Sequence, residues 1–147
     1  MRKLFIPFIL VVITSCTEST LVEPQPGGPF ITFVSIEPTV VREFKDSIII
    51  TIKYQDSDGD LGHQNPDLEL LSVHDLRLAK ADGYRVTLLA PPENKLSIEG
   101  ELEIYLKNTF LLGTGDEERT SYELIMTDRA GNKSSPIVTD EIRIVRQ

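Results

Sequence analysis

Alternation of apolar and polar residues dominates the chain from residue 30 onward. Across residues 47–54, Ile48, Ile50, Ile52 and Tyr54 fall on one face and Ile49, Thr51 and Lys53 on the other. That is the period of two required by a half-buried strand. Residues 96–106 repeat it. Ile98, Gly100, Leu102, Ile104 and Leu106 face one way, and Ser97, Glu99, Glu101, Glu103 and Tyr105 the other. Gly100 is expected to mark a bulge or bend there. Residues 30–36, 121–128 and 137–145 are predicted as further strands, with Tyr122, Leu124 and Met126 inward in the second of these. Residues 68–80 fit two readings. The spacing of Leu68, Leu71 and Leu78, with Val73 and Leu76, suits a helix, whereas a short irregular segment followed by a strand over 74–79 suits what comes next. The second reading is preferred, because Lys80-Ala81-Asp82-Gly83 reads as a hairpin turn into a strand over 84–90. Residues 109–119 are expected to form a loop, with a small apolar patch at Phe110, Leu111 and Leu112. Seven strands joined by short turns define an all-β fold, a sandwich of about seven antiparallel strands.

The pattern before residue 30 is different. Arg2 and Lys3 precede an apolar run from Leu4 to Ile13, broken only by Pro7. Such a run is too short to cross a bilayer, which takes about 20 residues, but it suits the apolar region of a signal peptide. Ile13-Thr14-Ser15-Cys16 follows and resembles the lipobox of bacterial lipoproteins. The resemblance implies cleavage before Cys16, a diacylglyceryl group on its thiol and a further acyl chain, of the palmitate kind, on its amine. Several chains anchor stably where one does not. Residues 1–15 are therefore expected to be a signal peptide and residues 16–29 a lipidated cysteine with a flexible tether rich in Pro and Gly. Residues 30–147 are expected to form the folded domain. Thr17, rather than an aspartate, follows the cysteine, which by the same resemblance points to the outer membrane.

Composition narrows the partners. The chain has 147 residues, 26% of them charged, and a formal net charge of −8. No basic run offers a surface for phosphates, so nucleic acid is excluded as an expected partner. Cys16 is the only cysteine, so neither an internal disulfide nor a paired-cysteine metal motif exists. No nucleophile elbow, zinc-protease helix motif or phosphate-cradling glycine loop is present, and the expected role is not enzymatic.

The chemistry-bearing stretch is Tyr-Gln-Asp-Ser-Asp-Gly-Asp-Leu-Gly at residues 54–62. Asp56, Asp58 and Asp60 alternate around Gly59. Three carboxylates this close repel unless a cation or strong donors compensate them. Calcium takes six to eight hard oxygens from flexible loops, so the stretch is expected to hold it, with further ligands from Asp67 and from Asp128 in the loop after the sixth strand. It departs from an EF-hand loop: Leu61 stands where glycine is needed and Asp67 where a bidentate glutamate is needed. The competing reading is an exposed Asp/Gly turn whose carboxylates cap backbone amides. The alternative function is a small metal-dependent hydrolase built on Asp56, Asp58 and Asp60. His63 and His74 read as a solvated loop residue and a pre-strand residue, and the Glu99/Glu101/Glu103 stripe as a solvated face.

Three stretches, residues 48–62, 74–89 and 122–142, together resemble the small immunoglobulin-like lipoproteins of the Bacteroidota outer membrane. The resemblance implies an immunoglobulin-like β-sandwich, with Tyr122 placed like a tyrosine-corner residue. It also implies a lipid-anchored envelope module that binds an unidentified envelope protein or glycan. Such modules carry many unrelated roles.

Overall fold

Period-two burial organises the strands seen in the structure, a computed structural model describing residues 27–91, 93 and 95–147. Ten strands form: β1 Phe30–Glu37, β2 Val40–Arg42, β3 Ile48–Asp56, β4 Leu71–Asp75, β5 Asp82–Tyr84, β6 Ile98–Leu106, β7 Glu117–Thr120, β8 Tyr122–Met126, β9 Ile137–Val138 and β10 Ile142–Val145. No helix occurs among the described residues. The sheets are ordered β1-β3-β6, β2-β10-β7 and β5-β4-β8-β9. The predicted signal peptide, Cys16 and the tether up to residue 26 lie outside the described residues. Pro29, which ends the predicted tether, is already buried.

One apolar core joins all three sheets. Ile48, Ile50 and Ile52 of β3 meet Leu71 and Val73 of β4, Leu124 and Met126 of β8, and Ile142 and Ile144 of β10. All of these are at most 3% exposed. The chain is thus all-β, in layers consistent with a sandwich. The alternations predicted for residues 48–54 and 98–106 both appear in the burial of β3 and β6.

Other expectations are corrected. There are ten strands rather than about seven, and β2 runs parallel to β10 (Val41 opposite Ile144) rather than antiparallel. The strand expected at 74–79 is instead β4, which ends at Asp75. There the Asp75 carboxylate accepts the Arg77 amide at 3.0 Å, and its carbonyl accepts the Leu78 amide at 2.8 Å, so the chain turns. Asp82 and Gly83 are consequently not the turn but lie inside β5, opposite Val73 and Ser72. Of the strand expected at 84–90, only Tyr84 is in a named strand. Beyond it the chain bonds to the acidic loop instead: the Val86 carbonyl accepts the His63 amide at 2.9 Å, and the Leu89 amide donates to the Leu61 carbonyl at 3.2 Å. The expected loop at 109–119 contains most of β7, which pairs with β10. The last strand is split. Thr139 Oγ1 accepts the Tyr122 amide at 3.0 Å, and its own amide donates to the Tyr122 carbonyl at 2.9 Å. β9 therefore stays with β8 while β10 crosses to β2 and β7.

Strand register defines two ends. Phe30 pairs with Gln55, and Asp56 with Ile98, so the chain enters β1 beside the loop that leaves β3. The opposite end carries the turns after β2, β4 and β6.

Candidate metal centre

The period of two that buries Ile48, Ile50 and Ile52 places Asp56 on the same face four residues beyond Ile52. Asp56 is 2% exposed. Its Oδ2 accepts the Asp60 amide at 2.7 Å, which closes the loop in one turn. Gly59 makes this path available: its φ is +70°, and a Cβ there would collide with the Leu96 carbonyl oxygen. Leu61 then drops into the core, fully buried.

The result is a tight group of oxygens. One carboxylate oxygen from each of Asp56, Asp58 and Asp60 lies within 4.8 Å of the others. The Oδ1 atoms of all three are buried and have no hydrogen-bond partner. Buried acceptors are ordinarily satisfied, and leaving one unpaired costs about 1–3 kcal/mol, more when it is charged. Burial pushes the Asp56 carboxyl above the usual aspartate range, with Asp58 and Asp60 adding to the rise against the Asp60 amide. Burial likewise raises Asp60, aided by the neighbouring charges of Asp128 and Asp58 and opposed by Arg129 and the Ala130 amide.

Arg129 is the cation whose charge acts on Asp60, yet its donors go elsewhere. Nη1 lies 3.1 Å from the Gly62 carbonyl oxygen and 3.5 Å from that of Leu61, and Nη2 lies 3.4 Å from that of Gly59. Its own amide donates to the Asp60 carbonyl at 3.2 Å. Arg129 thus ties the turn after β8 to the acidic loop without neutralising the carboxylates by direct contact. Sequence reasoning took the surrounding residues as a sign of fold only and missed this role. An arginine one position after a strand-ending aspartate carries no local signal of it.

The other predicted ligands are placed differently. Asp128 is buried and close enough to raise Asp60 electrostatically, so the two loops do share one end. Its carboxylate is engaged by Asn132: Oδ1 accepts the backbone amide at 2.7 Å and Oδ2 the side-chain amide at 2.8 Å. Asp67 is exposed, in a small turn where its amide donates to Asn65 Oδ1 at 3.0 Å. Neither belongs to the group of three. His63 Nδ1 accepts the Asn65 amide at 2.8 Å, and His74 Nε2 lies 2.8 Å from the Leu78 carbonyl oxygen, so both rings serve local turns. Tyr122 is buried.

An all-oxygen, triply acidic set suits a hard divalent cation and lacks the thiolate or imidazole donors that favour zinc or copper. Asp56, Asp58 and Asp60 can bind a metal on this geometry. No family model, curated protein or solved structure matches the chain.

Proposed function

We propose that the protein is a lipid-anchored cell-envelope lipoprotein of the outer membrane, whose immunoglobulin-like domain is stabilised by calcium and acts as a non-enzymatic binding or structural module. The observation that carries the cation is the convergence of the three unpartnered, buried Oδ1 atoms of Asp56, Asp58 and Asp60. Calcium is favoured over magnesium because a group of carboxylates on a loop suits its adaptable coordination shell, whereas magnesium demands a near-ideal octahedron. Asp56, Asp58 and Asp60 would hold the ion. When bound, it supplies positive charge to a buried acidic loop, and it thereby locks Leu61 in the core and the 86–89 segment against the loop. The immunoglobulin-like reading is supported by the layered, mostly antiparallel sheets and by the chain's passage from β9 in one sheet to β10 in another. The anchor rests on the resemblance of residues 13–16 to a lipobox.

The test is a thermal melt of the soluble domain in EDTA and in calcium, with isothermal titration of the ion. Calcium raises the midpoint, magnesium raises it less, and Asp58→Ala removes the rise. An identical melt in EDTA and calcium would overturn the cation reading.

A further inference from the structure

β6 is nine residues long and lies at the edge of its sheet, paired with β3 and with no other strand among the described residues. Such an edge presents unpaired backbone donors and acceptors, a template for another strand. Its two faces are chemically distinct. Ile98, Leu102, Ile104 and Leu106 point inward, and Ile98 and Leu102 remain only partly buried. Beside them, between the free edges of β5 and β6, lies a gap of about 260 Å³ whose lining includes Leu71, Tyr84, Val86, Leu102 and Ile104, with Arg85 also there. Glu99, Glu101 and Glu103 point outward, all exposed. Among the described residues a single cation answers this row, Lys53 at 3.8 Å from Glu101.

We infer that the β6 edge is a docking site for an extended segment of another protein, added as an antiparallel or parallel strand. That segment would carry Lys or Arg at alternate positions and aliphatic residues between them. Charge selects this occupant. A second copy pairing β6 with β6 would align the two glutamate rows on one face, and like charges opposite each other across strands destabilise the pairing. A basic row meets the glutamates with the opposite sign, while its aliphatic residues reach the gap between the two open edges. The inference is independent of the cation and the anchor, and it gives the proposed binding module a partner of defined chemistry.

The probe is a synthetic nine-residue peptide alternating Lys and Val, with a Glu/Val peptide as control. Binding to the calcium-loaded domain is followed by fluorescence anisotropy and by hydrogen exchange of residues 98–106. The Lys/Val peptide is expected to bind, to slow exchange in β6, and to weaken as salt rises. The Glu/Val peptide is expected not to bind. Glu99→Lys with Glu103→Lys, which leaves the Lys53–Glu101 pair in place, should weaken the Lys/Val peptide about tenfold and admit the Glu/Val peptide. Failure of the Lys/Val peptide to bind overturns the inference. So does binding that leaves β6 exchange unchanged, or that is indifferent to salt. Repeating the titration in EDTA separates this outcome from a failure of the cation reading, because the melt reports the second and exchange in β6 the first.

Discussion

The two ends of the domain each draw aspartate or glutamate at least partly out of solvent, and they solve the problem in opposite ways. At one end Asp56, Asp58 and Asp60 converge with three unpartnered oxygens, and the nearby Arg129 spends its donors on backbone carbonyls. At the other end Asp75 meets Arg77 at 2.6 Å, Arg77 reaches Glu118 at 2.7 Å, and Thr120 Oγ1 donates to Asp75 at 2.6 Å. Arg77 Nη1 also donates to the Phe110 carbonyl at 3.0 Å, and Glu118 accepts the Leu112 and Gly113 amides at 3.0 and 2.7 Å. The titration behaviour follows. Burial pushes Asp75 up, but hydrogen bonds from Arg77 and Thr120 outweigh it and hold the carboxyl below the usual range. The Leu112 and Gly113 amides, with Arg77, lower Glu118. Asp56 and Asp60 are raised. The comparison teaches that burial alone does not decide the cost of a carboxylate. One end carries its own counter-charge, and the other leaves three carboxylate oxygens without a partner.

The largest effect is expected from breaking the compensated end. Arg77→Ala leaves the half-buried Asp75 without its cation and removes the guanidinium that holds Glu118 and the Phe110 carbonyl. Removing one partner of a buried pair costs about 3 kcal/mol or more. Urea denaturation of Arg77→Ala should show a loss of that size, and Arg77→Met should not restore it, since bulk without charge leaves Asp75 unpaired. A loss below about 1 kcal/mol would mean that solvent, not Arg77, satisfies this end.

Next in size is the effect of supplying the missing charge at the acidic end. Calcium at a hundred times its dissociation constant should add about 2.7 kcal/mol to the unfolding free energy. In EDTA the order reverses: Asp58→Ala should be at least as stable as the parent, because it removes one of three mutually repelling carboxylates. Asp58→Ala being less stable than the parent in EDTA would place Asp58 in a satisfied structural role and end the contrast between the two ends.

The pH dependence separates the ends by sign. An acid whose folded pKa is raised contributes stability below its unfolded pKa and loses that contribution as pH climbs through the folded value. This is the expectation for Asp56 and Asp60 in calcium-free protein. Asp75 and Glu118, whose folded values are depressed, contribute above their unfolded pKa and lose that contribution as pH falls through the folded value. On the proposed reading, calcium would displace the protons at the first site and leave only the second trend. The midpoint difference between calcium and EDTA should therefore widen as pH rises from the ordinary aspartate range through the raised values, and close again in acid. A difference that is flat with pH would show that Asp56 and Asp60 are not titrating against the ion.

These two ends also differ in how much of them the sequence makes legible. The alternation in 48–54 and 98–106 is readable because each strand has one buried face, and Asp56, Asp58 and Asp60 are readable because consecutive alternate carboxylates are a local signal. β7 is not readable. Its Glu117-Glu118-Arg119 looks like loop until Arg77, forty-one residues away from Glu118 in the chain, is known to lie beneath it. The turn after β4 is hidden for another reason: Asp82-Gly83 is the stronger local turn signal, and Asp75, whose carboxylate and carbonyl accept the Arg77 and Leu78 amides, is a weaker one. The parallel β2–β10 pairing depends on contacts about a hundred residues apart, between Val40 and Arg143, and no local pattern announces it. Asp67 and Asp128 were grouped with the others by chemistry and nearness. Asn65 beside one and Asn132 beside the other are the local partners that draw them into turns.

The smallest effect tests what makes the compensated end special. Arg119 and Glu141 are 2.7 Å apart, the same separation as Arg77 and Glu118. Their side chains, however, are 61% and 52% exposed, against 12% for Arg77 and 23% for Glu118. If distance determined the contribution, the two pairs would be worth the same. Water screens the exposed pair and solvates either partner when the other is removed, so exposed pairs contribute little or nothing measurable. Arg119→Ala should therefore melt with the parent protein, and high salt should not change that result. A clear fall in its midpoint would show that β7 is held to β10 by its outer charges, and burial of Arg77 would no longer explain why that end tolerates its carboxylates.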